Sequence, residues 1–287
     1  MLLTEAISEF KTYQIGMERS FNTIDAYQND LIHLNKHLLE RDNCPVYVED
    51  ISTEDLEDYL YFLKDKLGYQ AASRKRKLGT IRAFFKFCYK KRFCEENVAA
   101  ELETIRSEQK ERTYLTDQEV QQIINVIEHP LIRLVIQTLY YTGLRISECT
   151  KLTLSDVDLA KEVILVREGK GRKDRLIPIN QKLRVLLLDY KENWRPRRGT
   201  DNFFCTPYSG RLSPVYVNRV LSEAVDKLGW SQNITAHTFR HSFASNLVKQ
   251  QVNIVQVQKL LGHTSLVTTS IYTHTNMTEL SEAVNTL

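Results

Sequence analysis

The chain has 287 residues, of which 42% are hydrophobic and 26% are charged, and its formal net charge is +3. This size and composition are typical of a globular protein of about two domains and exclude a disordered, collagen-like or disulfide-dense chain. No apolar run approaches the roughly 20 residues that cross a bilayer, and no secretory signal is visible at the start, so a cytoplasmic protein is expected. The five cysteines include no Cys-x-x-Cys pair, which favours reduced thiols over disulfides or a zinc site.

The two halves of the chain carry opposite net charge. Residues 1–105 contain 15 basic and 18 acidic residues, whereas residues 106–287 contain 24 basic and 18 acidic residues. Within the first half, residues 73–93 include nine basic residues and no acidic residue. A charge distribution of this kind predicts a surface that faces a polyanion.

The first half is predicted to be entirely helical. Apolar residues recur every three or four positions from Phe21 to Leu39, and Ser52-Thr53-Glu54-Asp55 is typical of a helix start. A third helix is predicted over about 73–92, and its apolar face is formed by Leu78, Ile81, Phe85 and Cys88.

The opposite side of this third helix is basic. Its four cations fall within one narrow sector of the helical wheel: Lys75, Arg82, Lys86 and Lys90. Such a side is either a solvated surface or a surface that binds phosphates, and the first half of the sequence does not decide between the two.

A polar segment without apolar periodicity, residues 106–113, is predicted to link a helical domain at 1–105 to a second domain at 114–287. The second domain is predicted to open with the capping box Thr116 to Glu119. Its further helices are predicted near 131–142, 181–191, 214–228, 238–249 and 253–261. Two β-branched runs, 163–166 and 176–179, predict a hairpin. The expected fold is therefore mainly α, with a small antiparallel sheet in a mixed second domain.

Several common enzyme signatures are missing from the sequence. It contains no dinucleotide-binding or nucleotide-binding glycine loop, no His-Glu-x-x-His zinc helix and no Gly-x-Ser-x-Gly nucleophile motif. It also lacks a compact acidic cluster of the kind found in two-metal nucleases. The candidates for chemistry are therefore a scattered set of Arg, Lys, His and Tyr residues.

Arg145 follows a helix-ending glycine within an apolar stretch, where a cation needs a partner. Glu148 is spaced to be that partner, although a purely structural ion pair explains the same pattern. His237 and Arg240 lie one helical turn apart, a spacing that favours a shared site but that an ordinary pair on the protein surface also shows. His263 follows a glycine helix stop, where a histidine commonly caps the helix.

Taken in order, six residues resemble the catalytic set of the tyrosine recombinase (phage integrase) family: Arg145, Lys170, His237, Arg240, His263 and Tyr272. The surrounding segments TGLRISE, GKGRKDRLIPI, HTFRHSFA and LGHTSLVTTSIYTH resemble the family across the whole second half. In the first half, FNTIDAYQNDL and the basic segment 73–93 resemble its helical, SAM-like core-binding domain. The size and layout resemble the compact Xer-like members, and none of the six positions departs from the family pattern.

This resemblance implies a site-specific recombinase that cleaves and rejoins DNA strands. Tyr272 would attack phosphorus, forming a 3′-phosphotyrosyl bond and releasing a 5′-hydroxyl. Because the covalent ester retains the bond energy, neither a cofactor nor a metal ion is expected. Arg145 and Arg240 would stabilise charge on the non-bridging oxygens. Glu148, from its spacing to Arg145, is expected to support that residue.

The resemblance assigns the remaining proton transfers as well. His237 and His263 would hydrogen-bond the same phosphate, and either could help Tyr272 lose its proton. Lys170, at the tip of the hairpin, would protonate the departing 5′-oxygen, unless it is an ordinary turn lysine.

The implied partners are double-stranded DNA with a specific recombination site and further protomers. A tail helix at 276–287 would dock on a neighbouring protomer, giving a homotetramer or a heterotetramer with a paralogue, unless it packs on its own domain. The basic side of the third helix is then expected to contact DNA.

Two other functions stay open: DNA relaxation by a type IB topoisomerase-like enzyme, and a non-catalytic DNA-binding regulator. Chromosome dimer resolution, plasmid or transposon resolution and element integration are not distinguished, and the target DNA sequence is not given.

Overall fold

The computed structural model describes residues 1–106, 114–167, 174–197 and 199–262. The chain divides into two compact units, residues 1–110 and 111–287. The predicted linker after Arg106 and the predicted tail helix at 276–287 lie outside the described residues. Among the described helices, none combines the length and the apolar character needed to span a bilayer.

The first unit is helical, as predicted. Its helices are α1 (Leu3–Gly16), α2 (Phe21–Asp42), α3 (Thr53–Asp65) and α4 (Ala71–Lys91), with a 3₁₀ turn at Val48–Asp50. The predicted helix start before α3 is confirmed, because the Ser52 and Asp55 side chains accept each other's backbone N–H. The four helices bury one apolar core, to which the four predicted apolar residues of α4 all contribute.

The cations of α4 do not share one environment. Lys75, Lys86 and Lys90 are exposed. Arg82 is half-buried, and its guanidinium donates to the Leu102 carbonyl and to Thr104 Oγ1. Arg82 therefore ties the segment after α4 back onto this helix, which the helical wheel could not show.

A buried carboxylate joins α2 to α4. Asp30 is 4% exposed and accepts hydrogen bonds from Arg76 Nη2 at 2.7 Å, Lys77 Nζ at 2.9 Å and Thr80 Oγ1 at 2.8 Å. Burial alone raises the pKa of Asp30, but the hydrogen bonds from Arg76 and Lys77 outweigh it and hold the pKa below its usual value. Two of the nine cations in 73–93 thus already have an anionic partner inside the domain.

The second unit is mostly helical with a small sheet, as predicted. Its described helices are α5 (Asp117–Val126), α6 (Pro130–Thr142), α7 (Ile146–Cys149), α8 (Gln181–Asp189), α9 (Pro214–Lys227), α10 (Ala236–Lys249) and α11 (Ile254–Leu261). A π-helical turn, Tyr190–Trp194, continues α8 and replaces the last residues of the helix predicted at 181–191. Helix α6 is apolar on nearly all sides and lies in the core, where α10 packs against it.

The sheet of the second unit is antiparallel, in the order β1 (Val157–Asp158), β2 (Val163–Val166) and β3 (Arg175–Pro178). The predicted hairpin is confirmed as the β2–β3 pair, with Val166 opposite Arg175. Strand β3 begins one residue earlier than predicted, and this difference brings Arg175 into the ladder. The two-residue strand β1 was not predicted, because so short a segment shows no alternation.

Candidate active site

The structure describes three of the six predicted catalytic residues, Arg145, His237 and Arg240, together with the predicted supporting residue Glu148. The other three, Lys170, His263 and Tyr272, lie outside the described residues.

A glycine sets the course of the chain into the site. Helix α6 ends at Gly143, whose φ of +65° lies in the left-handed region that favours glycine. A Cβ added to Gly143 would lie 2.4 Å from Cδ1 of Phe243, so a larger residue also lacks space. Leu144 is then buried, and Arg145 becomes the residue before α7.

Glu148 holds Arg145 from two directions. Its Oε1 accepts a hydrogen bond from Arg145 Nη1 at 2.6 Å, and its Oε2 accepts one from the Arg145 backbone N–H at 2.8 Å. The Glu148 side chain is 13% exposed, whereas that of Arg145 is 29% exposed. The predicted pair is therefore present, and Arg145 is the more solvent-facing of the two.

Two further guanidiniums approach the same carboxylate. Arg175 Nη2 donates to Glu148 Oε2 at 2.8 Å, and Arg240 Nη1 lies 4.0 Å from that oxygen. Burial alone raises the pKa of Glu148, but the hydrogen bonds from Arg175 and Arg145 prevail and keep the pKa below its usual value. One carboxylate thus faces three cations, and the cluster as a whole is positively charged.

Arg240 connects two helix ends. It lies on α10 and is 1% exposed, with Nη1 donating to the Gly143 carbonyl and Nη2 to the Leu261 carbonyl, both at 2.6 Å. Gly143 caps α6 and Leu261 is the last residue of α11, and carbonyls at helix ends lack intrahelical partners. Because helix C-termini also favour a nearby cation, these bonds stabilise a deeply buried guanidinium and fix its position.

His237 lies in the first turn of α10 and is exposed. Its ring centroid is 4.7 Å from that of His241 in a T-shaped arrangement, and His241 itself is buried. The predicted one-turn spacing of His237 and Arg240 on a single helix is thus observed.

Helix α10 also holds the start of the second unit. The Leu115 backbone N–H donates to Ser242 Oγ at 2.8 Å, and Lys249 Nζ lies 4.4 Å from the ring centroid of Tyr114. The helix that carries His237 and Arg240 is therefore bound to the first described residues after the predicted linker.

Sequence reasoning missed Arg175 and the buried His241. Arg175 is the first residue of a strand that is otherwise apolar, and a cation at the start of such a strand was the available signal. Within the described residues, no group of His, Cys, Asp and Glu side chains is arranged to hold a metal ion.

Comparison with known proteins places this arrangement in a family. The model of the Phage integrase family matches residues 113–279, and that of the phage integrase N-terminal SAM-like domain matches residues 7–92. The tyrosine recombinase XerA of Pyrococcus furiosus is 35% identical over 297 residues, covering 99% of this chain and 94% of the relative. The tyrosine recombinase XerC of Halalkalibacterium halodurans is 31% identical over 295 residues, covering 98% and 96%.

A solved structure has the same fold. The crystal structure of a lambda integrase dimer bound to a COC′ core site gives a TM-score of 0.78 at 22% identity and covers 95% of each chain. The matches to both phage integrase domains and to named tyrosine recombinases identify a site-specific tyrosine recombinase. The chain belongs to the phage integrase family, as a compact Xer-like member.

The family, fold class and enzyme class predicted from the sequence are thereby confirmed. Neither alternative function, topoisomerase-like relaxation or non-catalytic regulation, receives support from these relatives, which carry the names of recombinases.

Proposed function

We propose that this recombinase cleaves DNA through Tyr272 and stabilises the reacting phosphate with Arg145 and Arg240. One observation carries the proposal: these two guanidiniums come from distant parts of the sequence, yet both lie within 4.0 Å of the Glu148 carboxylate. The three proposed catalytic residues outside the described structure, Lys170, His263 and Tyr272, all fall within the segment that the family model matches.

The geometry suits charge stabilisation at phosphorus. Negative charge grows on the non-bridging oxygens as the attacking oxygen adds, and guanidiniums present paired N–H donors to such oxygens. Glu148 fixes Arg145, and helix-end carbonyls fix Arg240, so neither side chain has to be ordered when DNA arrives. The three guanidiniums around Glu148 in turn attract the negatively charged phosphate.

The remaining roles concern protons. A free tyrosine has a pKa of about 10, so Tyr272 needs a base near neutral pH. We assign that base to His237 or His263, and the acid for the leaving 5′-oxygen to Lys170. When a 5′-hydroxyl attacks the phosphotyrosyl bond, the same groups return the protons and Tyr272 is released.

The proposed substrate is double-stranded DNA with a specific recombination site. In support, the lambda integrase structure of the same fold is bound to a core site. We assign DNA backbone contact in the first domain to the basic face of α4, defined here as Lys75, Lys86 and Lys90, which are exposed. Arg82, included in this role by the sequence analysis, is bonded to the Leu102 carbonyl and Thr104 and is proposed as a lesser contact.

Three further parts of the proposal concern assembly, domain roles and location. Exchange between two sites needs four cleaving protomers, so we propose a tetramer on paired sites, either of this chain alone or with a paralogue, with 276–287 as the connecting tail. Residues 1–105 are assigned to core-site binding and 114–287 to catalysis. The proposed location is the cytoplasm, a reducing compartment that suits the five free cysteines.

The test is capture of the covalent intermediate. Binding sites are first selected from random duplexes with the full chain, and the selected site is then rebuilt with a nick that lets a short strand diffuse away after cleavage. Wild type is expected to give a protein–DNA adduct on a denaturing gel, and Tyr272→Phe is expected to give none. Tyr208→Phe, at a highly exposed loop tyrosine, is the matched control and is expected to form the adduct. A wild-type protein that binds the site without forming an adduct would refute the proposal.

A further inference from the structure

We propose that Arg175 is a positioning residue for strand cleavage, which orients Arg145 through Glu148 and fixes the end of α11. The inference rests on the function proposed above and adds a residue outside the six-residue catalytic set. It is carried by the contacts of one buried side chain.

Arg175 joins three elements of the second unit. It is the first residue of β3, its Nη2 donates to Oε2 of Glu148 in α7 at 2.8 Å, and its Nε donates to the Leu260 carbonyl of α11 at 3.0 Å. A longer contact of 3.4 Å links Nη1 to Glu148 Oε1. The side chain is 8% exposed, so these contacts are made away from solvent.

The contact with Glu148 bears directly on Arg145. Both oxygens of Glu148 are shared between the two arginines, since Oε1 also accepts from Arg145 Nη1 and Oε2 from the Arg145 backbone. Arg175 therefore acts as a second, opposing support that limits rotation of the carboxylate. Without that support, Glu148 and the Arg145 side chain it holds have more freedom to move.

The contact with α11 extends this support to a second part of the site. Arg175 and Arg240 bind consecutive carbonyls, those of Leu260 and Leu261, in the last turn of that helix. Gly262 then caps α11 with a φ of +66°. The next residue in the sequence is the proposed catalytic His263, so two arginines fix the point at which the chain leaves α11 towards it.

The charge of Arg175 argues against a role in stability alone. A third guanidinium beside one buried carboxylate adds repulsion and desolvation, and Glu148 keeps its ion pair with Arg145 when Arg175 is removed. The extra positive charge becomes favourable when an anion joins the cluster. We therefore expect its removal to impair cleavage far more than folding or DNA binding.

The test separates binding from cleavage for Arg175→Met. The dissociation constant is measured by gel shift on the selected site, and the rate of adduct formation is measured in a single turnover on the nicked substrate. Misplacement of a catalytic group by about 1 Å lowers rates by up to about 100-fold, so a loss of about 10- to 100-fold is expected, with the dissociation constant within about threefold of wild type.

Arg184→Met is the matched control. Arg184 makes the same two kinds of contact, from Nε to the Leu159 carbonyl at 3.0 Å and to Glu162 at 3.4 Å, but neither partner belongs to the site. Both the rate and the dissociation constant of this variant are expected to stay within about twofold of wild type, as for a partly exposed ion pair.

Two further variants keep the inference testable even if Arg175→Met folds poorly. Arg175→Lys retains the charge but not the fork that reaches two partners, so it is expected to recover only part of the rate. If Arg175 acts through Glu148, the double variant with Glu148→Gln is expected to be no slower than the slower single variant. Additive losses of the adduct-formation rate in the double variant, or an unchanged rate in Arg175→Met, would overturn the inference. Absence of an adduct with wild type would instead refute the proposed function.

Discussion

The carboxylate of Glu148 offers the sharpest test of the site's energetics. It accepts side-chain hydrogen bonds from Arg145 and Arg175 and lies 4.0 Å from Arg240 Nη1. Glu148→Gln keeps the shape of the side chain and removes the only negative charge described within this cluster. Removing one partner from a buried ion pair costs about 3–5 kcal/mol, and because the amide oxygen of Gln can still accept a hydrogen bond, the expected loss is about 3 kcal/mol.

This loss of unfolding free energy can be measured in the second unit, which contains the candidate active site. Both tryptophans of the chain, Trp194 and Trp230, belong to the second unit, so urea unfolding followed by tryptophan fluorescence reports on that unit. Glu162→Gln is the control, because this carboxylate is 39% exposed and pairs with Arg184 at 3.4 Å. Its expected loss is below about 1 kcal/mol.

The pH dependence supplies an independent check. The pKa of Glu148 is lower in the folded protein than its ordinary value of 4.5, so its charge stabilises the fold above pH 4.5. That contribution is lost as the pH falls from 4.5 through the folded-state pKa. The difference between wild type and Glu148→Gln is therefore expected to be full at neutral pH and to shrink below pH 4.5. A variant as stable as wild type at pH 7, or a difference that does not shrink in acid, would refute this account.

Two further predictions follow from the same structure. Gly143→Ala is expected to destabilise the second unit by about 2–5 kcal/mol in the same assay, because of the left-handed backbone and a clash with Phe243. Gly229→Ala is the control, because Gly229 has a φ of +69° but open space around it, and its expected loss is only about 1–2 kcal/mol. Equal losses in the two variants would contradict the clash. For the basic face of α4, Lys86→Ala combined with Lys90→Ala is expected to reduce the salt dependence of DNA binding, the slope of log K against log salt concentration, by about 2, whereas Lys64→Ala on α3 should leave it unchanged. An unchanged slope in the double variant would refute the proposed contact between the basic face of α4 and DNA.

Local patterns predicted the parts of the fold that depend on neighbours in sequence. The buried side of α4, with Leu78 and Phe85 at its centre, follows from the helical period alone. The Arg145–Glu148 pair follows from a spacing of three residues across one helix start. Order along the chain then gave the family, because the six residues and their surrounding segments occur together.

Contacts between distant segments could not be predicted in this way. Arg175 meets Glu148 only because the β2–β3 pair lies beside α7, and no periodicity encodes that approach. Arg82 shares a wheel sector with exposed lysines, yet residues after α4 return to bind it. Asp30 likewise neutralises cations on another helix. The number of basic residues in 73–93 therefore overstates how many of them are available to contact a phosphate.

The hydrogen bond between the Leu115 backbone and Ser242 bears on where chimeras of this recombinase and its relatives should be joined. Because the Leu115 backbone binds the helix that carries Arg240, the first residues after the linker belong structurally to the catalytic unit. A chimera that takes its SAM-like domain from another family member should place the junction before Tyr114. A junction placed later would graft a foreign backbone onto α10 and disturb catalysis without any change to a catalytic side chain.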